Sequence, residues 1–405
     1  MSESVTTIPS TVDVPADQRP LAEPTSDALR EFLSDAALGE GMLSSYVRDV
    51  FPRHLARFEI RAVEVEWTRE LLPSLPRAGS RKAFPIGLDA AGRCDIVAFD
   101  RDARALIIAD HKTSASGHVL ADGLLRIDPQ AKTYLWGMPT FDGVPVRAFM
   151  HNTLVKSVPH APKLLKARKK SDPHGGLSKD KAQNTTLALY RAAIAEHGLA
   201  ESDYAEIIDH LARNPRQYFA ESLIVHDAAT LAEHEAEMRW IAIERAESPA
   251  YRSPNKILCP GCPFFMGLCE SDTPDGRANF RVLDEAHVEL DEVRPAHGER
   301  PIITTSEIGE WTRCHRRHAL HYGAGLVPLV DARALRFGTG VHYVLADLYR
   351  GAMNGRANPA GALGVWDAWC ETEARRIYGI GVNEARHVVE SEGGNAAAID
   401  NELPF

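Results

Sequence analysis

The sequence has no run of apolar residues long enough to cross a bilayer, which takes about 18 or more. Its start has no basic stretch followed by an apolar one, so no secretory signal is expected. Bulk positive charge is also missing. Lys and Arg number 46 against 56 Asp and Glu, a net charge of −10. That argues against a protein that coats nucleic acid by bulk charge and leaves room for an enzyme that holds DNA in a local groove. There is no internal repeat. Cysteines are few, and three of them (Cys259, Cys262, Cys269) crowd one short stretch. This is no secreted disulfide framework. In a reducing cytoplasm such crowding points to a metal or an iron–sulfur cluster. The expectation is a cytoplasmic protein with no membrane partner.

Apolar residues make up 44% and charged residues 25%, the balance of a globular protein. A length of 405 residues suits two or three compact units, or one large domain with insertions. Residues 1–25 are polar and rich in Pro, Ser and Thr, and read as a disordered tail. Apolar spacing predicts helix over 26–60. AVEVEW (62–67) alternates like a strand. CDIVAF and ALIIADHKT, joined by DRDAR, read as a hairpin. IDPQAKTYLWGM (127–138) reads as helix and VPVRAFMHNTLVK (144–156) as strand. A basic loop follows at 163–181, then helical patterns at 183–212 and 228–248. Residues 276–302 read as a linker. Helices are expected again within 303–405.

Alternation along the hairpin puts Asp110 and Lys112 on one face and His111 on the other, with Asp95 of the partner strand alongside. Two carboxylates converging with a lysine suit Mg²⁺ or Mn²⁺, which take hard oxygen ligands and keep positions for water and phosphate. The lysine is then placed to orient or activate an attacking water. Gln130 and Tyr134, four apart on the predicted helix, share one face.

GRCDIV, IIADHKT and QAKTY, in that order, resemble the motifs of the PD-(D/E)XK nuclease superfamily, in its RecB-like branch. That branch includes the RecB and AddB nuclease domains and CRISPR-associated and phage iron–sulfur exonucleases. The resemblance covers roughly residues 40–275. It implies an α/β fold with a restriction-endonuclease-like core, a mixed central sheet flanked by helices, and a helical, cysteine-clamped subregion. It makes Asp95 and Asp110 metal ligands, Lys112 the catalytic lysine, and Gln130 with Tyr134 a supporting element that contacts DNA. AVEVEW is similar to the family's first core strand. The implied activity is metal-dependent hydrolysis of DNA, as an exonuclease of recombination or repair in a bacterial or phage-infected cell. The partners expected are single- or double-stranded DNA ends, with an oligomer or a helicase or recombination protein possible. The rival reading is a DNA-binding or partner-recruiting protein of weak or no catalysis, with a structural cluster or zinc. In the basic loop, Lys163, Lys166, Arg168, Lys169 and Lys170 are candidates to track the DNA backbone.

Three thiolates in ILCPGCPFFMGLCE hold a soft metal if a fourth ligand arrives, and their spacing leaves zinc and a 4Fe–4S cluster both open. The segment resembles the C-terminal cysteine motif of the family's iron–sulfur members, with a last gap one residue longer. In the family the fourth cysteine and a G-x-x-x-H helix precede the catalytic core. Nothing in residues 1–60 fits, and Cys94 lies in a strand on the face opposite Asp95. The C-terminal segment does fit: WTRCHRRHAL carries Cys314, and FGTGVHYVLADLY carries Gly338 and His342. By resemblance His342 is a metal ligand and Cys314 the fourth cluster ligand, so the family's order is permuted. Residues 303–405 then complete the domain in cis, complete a neighbouring subunit, or begin a second truncated unit. His315, His318 and His321 lie near one helical face. They are expected to be solvated, with zinc as the alternative.

Overall fold

The computed structural model describes residues 24–73, 87–115, 122–166, 176–214, 218–270, 273–283, 301–330 and 332–391, with the single positions 21, 287, 290 and 293. The tail expected at 1–25 falls almost wholly outside these residues, as do Arg168, Lys169 and Lys170.

The first helix, α1 (Ser26–Asp49), starts where the Thr25 side chain accepts from the Ala28 N–H. Its buried stripe includes Leu29, Phe32, Leu33, Leu43 and Tyr46. A short α2 (Phe51–Arg57), with Pro52 in its first turn, leads into β1 (Phe58–Leu72). The strand therefore begins earlier than alternation alone suggested. The expected hairpin forms as β2 (Leu88–Asp100) and β3 (Ala105–Ser114). Two helices follow, α3 (Asp122–Ile127) and α4 (Pro129–Gly137), then β4 (Thr140–Phe141) and β5 (Val144–Val155). The helical pattern at 183–212 breaks at Gly198, in left-handed backbone (φ 62°), into α5 (Leu187–Glu196) and α6 (Ala205–Arg213). Strand β6 (Phe219–Ile224) and α7 (Ala228–Glu247) complete this half.

The stretch expected as a linker holds short elements, α8 (Pro274–Arg277) and β7 (Phe280–Val282). Strand β7 pairs with β9 (Leu326–Pro328) beyond it, and β8 (Ile302–Thr304) joins the main sheet. Three-residue strands carry too little alternation to read. Helices α9 (Thr305–Arg313), α10 (His315–His318), α11 (Arg333–Met353), α12 (Ala362–Tyr378) and α13 (Val382–Ser391) follow.

The protein is α/β, with a mixed central sheet flanked by helices. The main strands run β1–β2–β3–β5–β6, and only the β3–β5 contact among these is parallel. One face packs Ile96, Ala98, Ile107 and Met150 under α1, α11, α12 and α13. The other packs Val97, Ile108 and Phe149 against α4 and α7. Helices from both ends of the chain thus share one core with the sheet.

The sheet is split. The β2–β3 ladder runs from Asp100↔Ala105 to Ile96↔Ala109 and stops. Strand β8 pairs with β2 only at Asp89–Ala91. Between the two, Gly92–Cys94 of β2 are paired only with β1 among the described strands, and a cleft of about 890 Å³ opens there.

Candidate active site

Asp95 and Asp110 each lie one residue beyond the last β2–β3 pair, so the two carboxylates face each other across the opening. Both line the cleft, with Lys112, Gln130, Tyr134 and His342. The Lys112 ammonium sits 2.8 Å from Asp110 Oδ2, and the His342 ring Nδ1 lies 3.3 Å from Asp95 Oδ2. The His111 backbone N–H donates to Asp95 Oδ2 at 2.7 Å, and the Gln130 amide donates to Asp110 Oδ1 at 3.0 Å. Tyr134 donates its hydroxyl to the Arg93 carbonyl at 2.8 Å. Helix α4 can present both side chains inward because Asp128 caps it and Pro129 opens its first turn.

The two carboxylates titrate differently. Burial works to raise Asp95, but the His342 ring and the His111 N–H outweigh it and hold the acid well below its usual range. Asp110 is pushed up to about 6 by burial; Lys112 pulls it back and Asp95 adds to the rise. Its Oδ2 is sealed from solvent and faces the Lys112 ammonium. Burial works to lower the Lys112 ammonium, yet the Asp110 charge wins and the net shift is upward. His342 likewise moves up, its burial opposed by Asp95.

His111 points away from the cleft into a buried polar chain. Its ring is kept neutral by burial, its pKa lowered to about 3, and its Nδ1 meets the Asn152 amide at 2.8 Å. Asn152 donates to the Tyr46 hydroxyl at 3.0 Å, and Tyr46 and Tyr349 hydroxyls lie 2.8 Å apart. His54 Nδ1 is 2.5 Å from Tyr349, and its Nε2 is 2.9 Å from Glu221. Tyr349 lies two turns beyond His342 on α11, so this chain pins the helix that carries His342 to the sheet that carries Asp95.

Several cleft residues were not foreseen. Glu64 of β1 lies opposite Asp95, between the pairs Val63↔Ile96 and Val65↔Cys94, in left-handed backbone (φ 56°). Its carboxylate pairs with Arg93 at 2.9 Å, and its pKa is raised by burial and then by Asp95. The alternation of AVEVEW gives no sign of this, because it does not show a left-handed residue in mid-strand. Arg350 and Tyr343 of α11 also line the cleft. Gly338 lines it too, and a side chain there would meet only Thr113 Oγ1 at 3.5 Å, an ordinary contact, so packing does not demand the glycine. Lys163 and Lys166 are exposed and lie outside the cleft lining.

Cys314 ends α9, at the opposite end from Thr305 and Ser306, which line the cleft. Neither it nor Cys259, Cys262 or Cys269 is in a disulfide. Cys262 and Cys269 pack on Phe264, Leu268 and Leu320. Burial pushes the Cys269 thiol up, and charge on Cys262 and Cys314 adds to the rise. The Arg316 N–H donates to the Tyr251 carbonyl at 2.9 Å, and the His315 ring lies 4.1 Å from that of Tyr251. Asn255 donates its N–H to Cys259 Sγ at 3.2 Å. Cys94 is apart from them, fully buried, and held as a thiol by that burial. The histidines are not a solvated face. His315 and His318 are buried. His315 stacks on Trp311 at 3.7 Å, His318 meets Glu307 at 2.8 Å, and His321 meets Glu310 at 3.0 Å. The acids that recruit them sit on the preceding helix, across a break that helical spacing does not bridge.

Among the described residues no group of three or more His, Cys, Asp or Glu side chains is disposed, as it stands, to hold a metal ion. At the cleft, Lys112 and His342 are paired with the carboxylates instead. The donor chemistry nonetheless suits a hard divalent cation: two carboxylates and an imidazole line one cleft. No family model matches the chain, and no curated protein or solved structure is similar to it.

Proposed function

We propose that this protein is a metal-dependent DNA nuclease of the PD-(D/E)XK kind, built on a restriction-endonuclease-like core and acting as an exonuclease in recombination or repair. The observation that carries the reading is the meeting of His342 with Asp95 inside one chain, in the cleft that holds Asp110, Lys112, Gln130 and Tyr134. Residues from opposite ends of the sequence converge there, and the group includes every site residue the resemblance implies for the cleft.

Asp95, Asp110 and His342 would hold Mg²⁺ or Mn²⁺, which when bound lowers the pKa of coordinated water and stabilises charge on the phosphate. The chain does the rest. Lys112, partly exposed on the cleft side, orients the attacking water and offsets negative charge at the scissile phosphate. Gln130 fixes the Asp110 carboxylate, and the His111 N–H fixes Asp95. Tyr134 holds the β2 backbone at Arg93, which keeps the split in the sheet in register.

Cys259, Cys262, Cys269 and Cys314 form a cysteine clamp for a 4Fe–4S cluster, with zinc the alternative. The packing of Leu320, six residues after Cys314, on Phe264 and Leu268 of the cysteine loop supports this reading. Metal analysis of anaerobically purified protein separates them. Iron and sulfide that are lost in Cys314→Ser support the cluster, and zinc without iron contradicts it.

The activity is tested with end-labelled linear DNA, single- and double-stranded, in Mn²⁺ and in chelator. Metal-dependent release of mononucleotides or short products is expected. Cleavage that persists in chelator, or none under any condition, contradicts the proposal.

A further inference from the structure

The cleft wall formed by α11 has an unusual surface. Leu335, Thr339, His342, Tyr343 and Arg350 all line it. From Leu335 to Arg350 this wall runs for about 22 Å at the α-helical rise. The other large residues of the helix, such as Phe337, Val341, Val344 and Leu348, are buried in the core. Tyr343 is 53% exposed and Leu335 63%, on the cleft side. A Tyr ring left half in solvent forgoes the burial that normally favours it. Here it sits one residue after the histidine that meets Asp95.

Charge alone does not account for binding a polyanion in this cleft. Four carboxylates line it (Glu64, Asp95, Asp110, Asp128), against three permanent cations (Arg93, Lys112, Arg350). Arg93 is engaged by Glu64 and Lys112 by Asp110. The whole chain is acidic as well. A strand held here needs a contribution that does not depend on positive potential, and stacking of a base on an aromatic face is one.

We infer that Tyr343 is a stacking platform for an unpaired nucleobase next to the scissile phosphate, which makes the preferred substrate a single-stranded or frayed end. This rests on the nuclease reading. A base inside a duplex has both faces covered by its neighbours, and freeing one costs a few kcal/mol. An unpaired end presents a face at no such cost. Leu335 extends the same wall two turns back, and Arg350 lies two turns on, where it can meet the backbone.

The test uses the full chain carrying Lys112→Ala, so that bound DNA is not consumed. The probe is an oligonucleotide with 2-aminopurine at its terminal positions, free or annealed as a blunt duplex. Fluorescence reports stacking and anisotropy reports binding. Quenching on single-strand binding is expected, kept in Tyr343→Phe and lost in Tyr343→Ala. The Ala change should weaken single-strand binding about 5- to 150-fold and narrow the preference over duplex. Unchanged quenching and affinity in Tyr343→Ala overturns the inference while the nuclease reading stands. If no form binds either DNA, the nuclease reading fails and this inference with it.

Discussion

At the residue scale, the cleft works because neighbouring groups are pushed in opposite directions. Asp95 is held ionised by His342, while burial raises Asp110 beside an ammonium that its own charge keeps protonated. On the nuclease reading, Lys112→Ala removes the cation proposed to meet the scissile phosphate and should lower the cleavage rate roughly 10²–10³-fold, with the thermal melt close to wild type, because the side chain is partly exposed. His342→Ala should weaken Mn²⁺ binding, measured by calorimetry, and lower cleavage, with the core intact. Equal Mn²⁺ affinity in the variant would remove His342 from the ligand set. The D-x-K pair was legible because strand alternation is strict. Glu64 was not picked out, because a left-handed residue in mid-strand leaves no trace in hydropathy.

At the element scale, two features join the C-terminal helices to the rest. Gly340 of α11 packs under α12, where an added Cβ would fall 2.7 Å from the Trp369 ring. Gly340→Ala should cost about 1–3 kcal/mol, read as a lower urea midpoint. The second feature is Glu307 on α9, buried and held by His287, His318 and Arg245. Burial works to raise its pKa, but these partners lower it from 4.5 to about 2. A depressed carboxylate stabilises the fold fully above its unfolded pKa and loses that contribution as pH falls toward the folded one. The linkage is worth about 3 kcal/mol at neutral pH. Glu307→Gln should therefore be less stable than wild type at pH 7, with the gap shrinking between about pH 4.5 and 2 in urea denaturation. A constant gap across that range contradicts the assignment. Long helices and the hairpin were legible from apolar period. Strands β7, β8 and β9 were not, since three residues hold no period and their partners are far along the chain.

At the scale of the whole molecule, the chain closes on itself. Residues 302–304 join the sheet, α11 and α12 share a core with α1, α10 meets Tyr251, and Leu320 packs on Phe264 and Leu268 of the cysteine loop. Of the three arrangements the sequence left open, we propose completion within one chain, which the contact of His342 with Asp95 supports. A permuted order was readable only as what the resemblance implies, from the segments around Cys314 and His342 that the first 60 residues do not match. Which subunit they serve is a property of tertiary packing and was not. The buried chain from His111 to Glu221 was equally unreadable, because it joins residues from six separate elements.

The measurement that bears most directly on this account is Mn²⁺-dependent cleavage of labelled DNA by wild type, Lys112→Ala, His342→Ala and an equal mixture of the two variants. A site completed within one chain predicts cleavage by wild type alone, with the mixture as inactive as its parts. Activity restored in the mixture would place His342 and Lys112 in the same site from different subunits. Equal cleavage by wild type and Lys112→Ala, or none by wild type, would contradict the nuclease assignment itself.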